Sequence, residues 1–484
     1  MNSIFLIKNR VFLLVATSIF MSTLDSSIVN VALPYIMTDL KTHVQKIQWV
    51  VIIYLLTVSS FLLLFGRLSD ITGRRKVYCT GFGIFTFGSL LCSLAQVPWF
   101  LILSRGIQGF GASMLMACSP ALIVDAFPPK ERGRAIGMVG AVVAGGLTAG
   151  PLAGGVLLDL FSWRTIFYIN LPIGICATLS GILLLKDTSA DQGSGEPLDI
   201  KGGLCLIIGL VSLILGLSHL DRWGVMSLNS LMMFLICCAA FTGFVMTEIR
   251  EDYPLFDPKL FKIRLFTLPV INSSLLFCAL FIIIFIMPFF LVHACGYSPS
   301  ATGMIMTTPF MFLLVISPAA GALYDRVGSR FLCASGTAVV TLALVMLLGL
   351  GEDMAPWSII WRLSLAGLGT AMFISPNNTA AMNAVPIHRR GIASGAVATS
   401  RNLGMVVGVS LAGLIFTSSF SSLTLGAGVE NLTSQMIPAF MISFRRTMTA
   451  GIVICVINFG LVFLRGREHP LIPSTDNQPT GPGK

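Results

Sequence analysis

The sequence predicts an all-α polytopic membrane protein with fourteen transmembrane helices. Three observations carry that prediction. The 484 residues are 55% apolar and only 11% charged, against about 25% charged in soluble domains. The apolar residues come in runs long enough to cross a bilayer, which takes about 20 residues of helix. The basic residues gather on alternate connections between those runs, the pattern left when one side of a membrane retains positive charge.

In order, the runs are 11–34, 48–67, 78–97, 99–124, 134–158, 163–185, 200–219, 224–247, 266–292, 300–324, 331–350, 356–382, 390–416 and 445–464. The first follows Lys8 and Arg10, as the core of a signal peptide would. It is too long for one, carries Asp25 and lacks a cleavage site, so it reads as a retained span. With the N-terminus inside, inner connections hold Arg74, Arg75, Lys76, Lys130, Arg132, Arg134, Arg250, Lys259, Lys262, Arg264, Arg389 and Arg390. Outer segments hold Lys41, Lys46, Arg164, Arg222, Arg362, Arg445 and Arg446. Both termini are therefore expected in the cytoplasm, with the chain in the cell membrane. The net charge of +10 reads as topology and contact with anionic headgroups. A nucleic-acid partner is not expected, since the charge is not gathered on a soluble basic domain. The eleven cysteines show no metal spacing, and those inside spans, such as Cys92, Cys118 and Cys278, behave as small apolar residues.

The chain repeats itself. "GRLSDITGRR" (66–75) returns as "GALYDRVGSR" (321–330), matching Gly66, Asp70, Gly73 and Arg75 to Gly321, Asp325, Gly328 and Arg330. "PPKERGRAIG" returns as "PIHRRGIASG", and Gly146, Gly150 and Gly155 then match Gly404, Gly408 and Gly413. Two six-span halves follow, and duplicated halves with a site between them are common in secondary transporters. The expected organisation is a six-helix bundle over 1–185, a linker with two extra spans over 186–265, a second six-helix bundle over 266–466, and a disordered tail over 467–484.

Five stretches carry a family resemblance. "LDSSIVNVALP" (24–34), "GRLSDITGRRK" (66–76), "LILSRGIQGFGA" (101–112), "AGGLTAGPLAGG" (144–155) and "SWRTIFYINLPIG" (162–174) occur in order at the expected spans. Together they resemble the major facilitator superfamily, and within it the fourteen-span drug:proton antiporters. The resemblance implies the major facilitator fold, export of drugs or toxic lipophiles, protons as the coupling ion and no other cofactor. It implies an inner latch formed by Gly66, Asp70, Gly73, Arg74 and Asp125. It also marks Gly146, Gly150, Pro151, Gly154 and Gly155 as the antiporter motif.

The residues give their own reading beside this one. Gly146, Gly150 and Gly154 share one helix face, and small residues let membrane helices approach closely. Pro151 removes one backbone hydrogen bond and bends the span. The bland reading is helix packing; the functional one is a sliding contact between the halves. The second-half equivalent of Pro151 is Val409, so the bend belongs to one half. Gly66 and Gly73 permit a tight turn, Asp70 can cap a helix or meet a cation, and Arg74 is within reach of Asp125. The second-half position matching Asp125 is Asn383, which predicts a weaker latch there.

Three ionisable residues lie deep in spans: Asp25, Arg105 and Arg401. Intramembrane charges are costly and mark function. Asp25 is the expected proton carrier, against the alternative of a permanent ion pair with Arg105. Asn377, Asn378 and Asn402 are candidate substrate-lining residues. One acid against two arginines predicts neutral or monovalent lipophilic substrates, with anions held by Arg401 as a further option. No nucleophile–base pair, metal cluster or phosphate loop points to an enzyme. A sensor on this scaffold would need an output domain. The expected function is proton-coupled export by alternating access, with export, or less readily import, of one specific metabolite as the rival. The bilayer and a small lipophilic molecule are the expected partners, the monomer the working unit, and a periplasmic adaptor is left open.

Overall fold

The computed structural model describes residues 2–185, 198–224, 226–251, 255–256, 258–352, 354–386, 389–429 and 432–466. The tail expected at 467–484 and most of the linker after residue 185 lie outside them. Among the described residues there are no strands. A helix answers its own backbone hydrogen bonds, which is what a segment surrounded by lipid requires.

The spans are, in order, Asn2–Asp39, Trp49–Thr72, Arg74–Ser93, Pro98–Ala126, Pro129–Leu160, Asn170–Leu184, Ile200–Ser218, Leu228–Arg250, Arg264–Phe289, Pro299–Val327, Ser329–Leu348, Pro356–Asn383, Arg390–Leu423 and Ile437–Phe463. Each falls on one of the expected runs. Among the described residues, thirteen helices are long and apolar enough to cross a membrane on those grounds alone. Arg74–Ser93, span three, is the exception: three basic residues open it, and glycines, threonines and serines dilute it. It holds its place by packing. Gly88 lies so close to span four that a methyl group there would come within 2.6 Å of the Gln108 amide nitrogen. Span six is preceded by the short helix Thr165–Tyr168, and span nine continues as the π-helical turn Phe290–Ala294.

The repeat in sequence is a repeat in packing. Span five lies along span one, with Gly146, Gly150 and Gly154 set against Thr23, Ser27 and Ile28. Span thirteen lies along span nine in the same way, with Gly404 and Gly408 against the carbonyls of Ser274 and Cys278. Spans three and four meet through Gly88 and Gly111, spans eleven and twelve through Gly336 and Gly369. At the turns after spans two and ten, Gly73 (φ 99°) and Gly328 (φ 80°) occupy backbone that disfavours a side chain. Gly66, expected to share that role, is instead an ordinary helical residue with open space beside it.

Spans seven and eight form a hairpin, begun by Asp199 accepting from the Gly202 amide at 2.8 Å and by Ser227 accepting from that of Ser230 at 3.2 Å. Span seven packs on spans two and thirteen, and span eight on span seven. The ends of the molecule differ in charge: Arg74, Arg75, Lys76, Arg132 and Arg134 lie at one end of their helices, here called the basic face.

Candidate functional site

Between the halves lies a cavity of about 640 Å³. Spans one, two, four and five wall it on one side, and spans nine, ten, twelve and thirteen on the other. Towards the basic face its lining includes Gly137, Gly140, Ser317 and Thr379, and Gly137 and Gly140 are exposed. Towards the opposite face the halves close on each other. A methyl group on Gly155 of span five would come 2.7 Å from the Pro299 carbonyl and 3.1 Å from Gly303 Cα of span ten. The Ser300 amide donates to Asp159 at 3.0 Å. The repeat-related contact sets Gly413 of span thirteen against Gln48, beside a 3.5 Å bond from Gln45 to Thr417. The cavity is thus open at one face and shut at the other.

This geometry corrects the reading of the glycine face. Gly146, Gly150 and Gly154 do not slide between halves; they seat span five on span one within a single bundle. The contact between halves is made by Gly155, with Gly303 set against the Pro151 carbonyl. Helix phase is the reason. Positions four apart share a face, while residue 155 lies about 100° round from 154.

Asp25 is fully buried and accepts three hydrogen bonds: from Arg105 at 2.5 Å, Gln108 Nε2 at 2.8 Å and Asn170 Nδ2 at 3.1 Å. Arg105 also donates to the Val50 carbonyl at 3.1 Å and to Gln108 Oε1 at 2.6 Å, and stacks over the Tyr54 ring at 4.1 Å. Tyr54 lines the cavity and Asp25 does not. Gln108 and Asn170 as partners of Asp25, and Tyr54 as a partner of Arg105, were not anticipated. Gln108 carried a usable signal, since it stands three residues after Arg105 and so on the same helix face. Asn170 belongs to the stretch 162–174, whose Trp163 and Arg164 donate to Asp39 at 2.8 and 3.0 Å. That stretch ties span six to span one.

In the second half, Arg401 and Asn402 line the cavity, as does Asn378. Asn377 does not, which corrects its assignment. It is buried inside the second bundle, donating to the Pro269 carbonyl at 3.0 Å and accepting from Arg465. Arg465 itself was missed because it follows the last apolar run. It is 2% exposed. The Asn272 amide also faces Arg465 and Asn458; with its oxygen turned to Arg465 it accepts two hydrogen bonds, at 3.0 and 2.9 Å, and its nitrogen donates to Asn458 at 3.2 Å.

The latch residues do meet. Arg74 pairs with Asp125 and, at 3.1 Å, with Asp70. All three belong to the first bundle, where they fasten the turn after span two to the end of span four. In the second, Asn383 lies 3.4 Å from the Tyr324 hydroxyl. Among the described residues no group of three or more histidines, cysteines or carboxylates could hold a metal.

With this geometry in view, three comparisons identify relatives. The profile of the Major Facilitator Superfamily matches residues 15–275 and again 269–481. The chain is 34% identical over 465 residues to the riboflavin transporter RibZ of Clostridioides difficile, covering 95% of this chain and 98% of that one. It is 32% identical over 418 residues to the multidrug resistance protein Stp of Mycobacterium tuberculosis, covering 86% and 77%. Its fold is similar to that of a bacterial homologue of the human lysosomal transporter Spinster, with a TM-score of 0.66, 15% identity, and coverage of 95% and 97%.

Proposed function

The chain belongs to the Major Facilitator Superfamily, and from that premise we propose that it is a proton-coupled secondary exporter of lipophilic compounds working by alternating access. Its membrane is the cell membrane, and the basic face is the cytoplasmic one. The observation that carries this reading is the cavity shared by the two halves, open at the basic face and shut at the other. The shut face is held by backbone approaching backbone at Gly155 and Gly303, with few side chains to disentangle, so the halves can part there without repacking either bundle. The relative Stp, named for multidrug resistance, supports the substrate class.

Asp25 is the proposed proton carrier. Its carboxylate sits about 20 Å along span one from Asp39, at 1.5 Å per residue, behind Tyr54 of the cavity wall. Protonation would discharge the Asp25–Arg105 pair and free Arg105 to rearrange. Outward opening would let the proton on, and inward opening would let it off to the more alkaline side. The monomer suffices for this cycle. Asp25→Asn keeps shape and hydrogen bonding but cannot titrate. In inside-out vesicles it should abolish dye accumulation driven by an imposed proton gradient while leaving downhill dye exchange measurable. Accumulation that persists in Asp25→Asn would rule Asp25 out as the carrier.

A second reading, a carrier of one dedicated metabolite, is favoured by the long match to a riboflavin transporter. A panel of dyes and metabolites in the same vesicles separates the two: accumulation of one compound and none of the others would replace the first reading with the second.

A further inference from the structure

We infer that Arg401 and Asn402 form a receptor for a single carboxylate-type anion carried on a flat aromatic body. This deepens the export reading and rests on it, since it takes the cavity as the substrate site.

Arg401 is the one charged residue among the described residues lining the cavity. A guanidinium keeps its proton in any protein setting. Desolvating such a cation without hydrogen-bond partners is expensive, and the other two internal arginines have them. Arg105 meets Asp25, and Arg465 is enclosed by the amides of Asn272 and Asn377. The Nε of Arg401 has no hydrogen-bond partner. Neither has the side-chain amide nitrogen of the next residue, Asn402, which is 4% exposed. Both residues line the cavity, and each carries a buried donor with nothing to donate to. Helix geometry puts them about 16 Å in from the Arg390 end of span thirteen.

The complement of a guanidinium beside an amide donor is an oxyanion, and a carboxylate matches the guanidinium fork in two bonds. One cation answers one negative charge. A cationic ligand would meet Arg401 with no described carboxylate in the wall to offset it. The surroundings specify the rest of the ligand. Arg401 lies over the Phe277 ring at 5.6 Å, and Phe281 and Phe310 add aromatic wall. Rings of this kind stack on a flat aromatic body. A cavity of about 640 Å³ falls in the range used for small-molecule ligands, roughly 300–1,000 Å³.

The test uses three fluorescent probes with one ring system: 9-anthracenecarboxylate, 9-anthracenecarboxamide and 9-(aminomethyl)anthracene as its ammonium. Their binding to the purified full-length protein in lipid nanodiscs is followed by fluorescence titration at neutral pH. Wild type should bind the carboxylate at least about tenfold more tightly than the amide, a difference of about 1.4 kcal/mol, and the ammonium most weakly. Arg401→Gln should erase the carboxylate preference while amide binding stays within about threefold. Arg401→Lys, which keeps the charge, should retain part of the preference and guards against reading a folding defect as a lost site. Asn402→Ala should reduce the preference by a smaller factor. Equal binding of carboxylate and amide by wild type, tighter binding of the ammonium, or an undiminished preference in Arg401→Gln would each overturn the proposal. The titration needs neither transport nor a proton gradient. Loss of proton-driven accumulation alongside an intact carboxylate preference would therefore count against the export reading and leave this one standing.

Discussion

The two bundles are built on one pattern and place Arg105 and Arg401 in opposite ways. In the first, Arg105 is enclosed by Asp25, Gln108 and the Val50 carbonyl, away from the cavity. In the second, Arg401 stands in the cavity wall with an unanswered Nε and a phenylalanine for a neighbour. Val143 occupies the position in the first half that Arg401 occupies in the second. The difference separates two uses of intramembrane charge. A paired charge fastens helices, while one without a described partner stands in the cavity wall. Duplication supplied the frame, and each half then placed its charge where the other has none.

The largest expected effect tests that contrast directly. Arg105→Ala leaves Asp25 buried without its cation and should cost about 3–5 kcal/mol, as broken buried pairs do. Arg401→Ala removes a charge with no described partner and should be near neutral or stabilising. Thermal unfolding of the two purified variants checks this, and a comparable loss in both would dissolve the comparison.

Next come the glycines. Gly150→Leu should strain the seat of span five on span one by about 1–3 kcal/mol, the usual cost of overpacking. Its signature is a lower unfolding temperature and lower yield. Gly303→Leu should instead leave each bundle intact and hold the halves apart at the shut face. In proteoliposomes loaded with a pH-sensitive dye, that variant should leak protons faster than wild type. A tight Gly303→Leu would show that this contact does not seal the molecule.

The smallest effect concerns the latch. Arg74 and Asp125 are 27% and 44% exposed, so Asp125→Asn should cost no more than about 1 kcal/mol of stability. Asn383→Asp, which restores the acid in the second half, should change stability by less still. Unfolding measured at low and high salt should show the Asp125 effect shrinking as salt rises. An effect of several kcal/mol would mean that Asp125 supports more than a solvent-screened pair.

Much of this protein was legible in its sequence. The spans, their order and the duplication follow from hydropathy and repetition, because a helix in lipid must satisfy its backbone within its own segment. Asp25, Arg105 and Arg401 stood out because charge is rare in such segments. The meeting of Arg74 with Asp70 and Asp125 was readable too, since a short turn leaves those side chains few places to go. What the sequence left open depends on which way a helix face turns. Asn377 and Asn378 are neighbours in the chain, yet one bonds Arg465 inside the second bundle and the other lines the cavity, because adjacent helical residues point about 100° apart. The same rotation sends Gly150 to span one and Gly155 to span ten. Arg465 follows the last apolar run and looked like one more basic residue at a span end, but its burial among Asn272 and Asn377 exists only once spans nine, twelve and fourteen are assembled. Partnership across helices is a property of the packed bundle, and only the tertiary structure decides which of two like charges is answered and which is left facing the cavity.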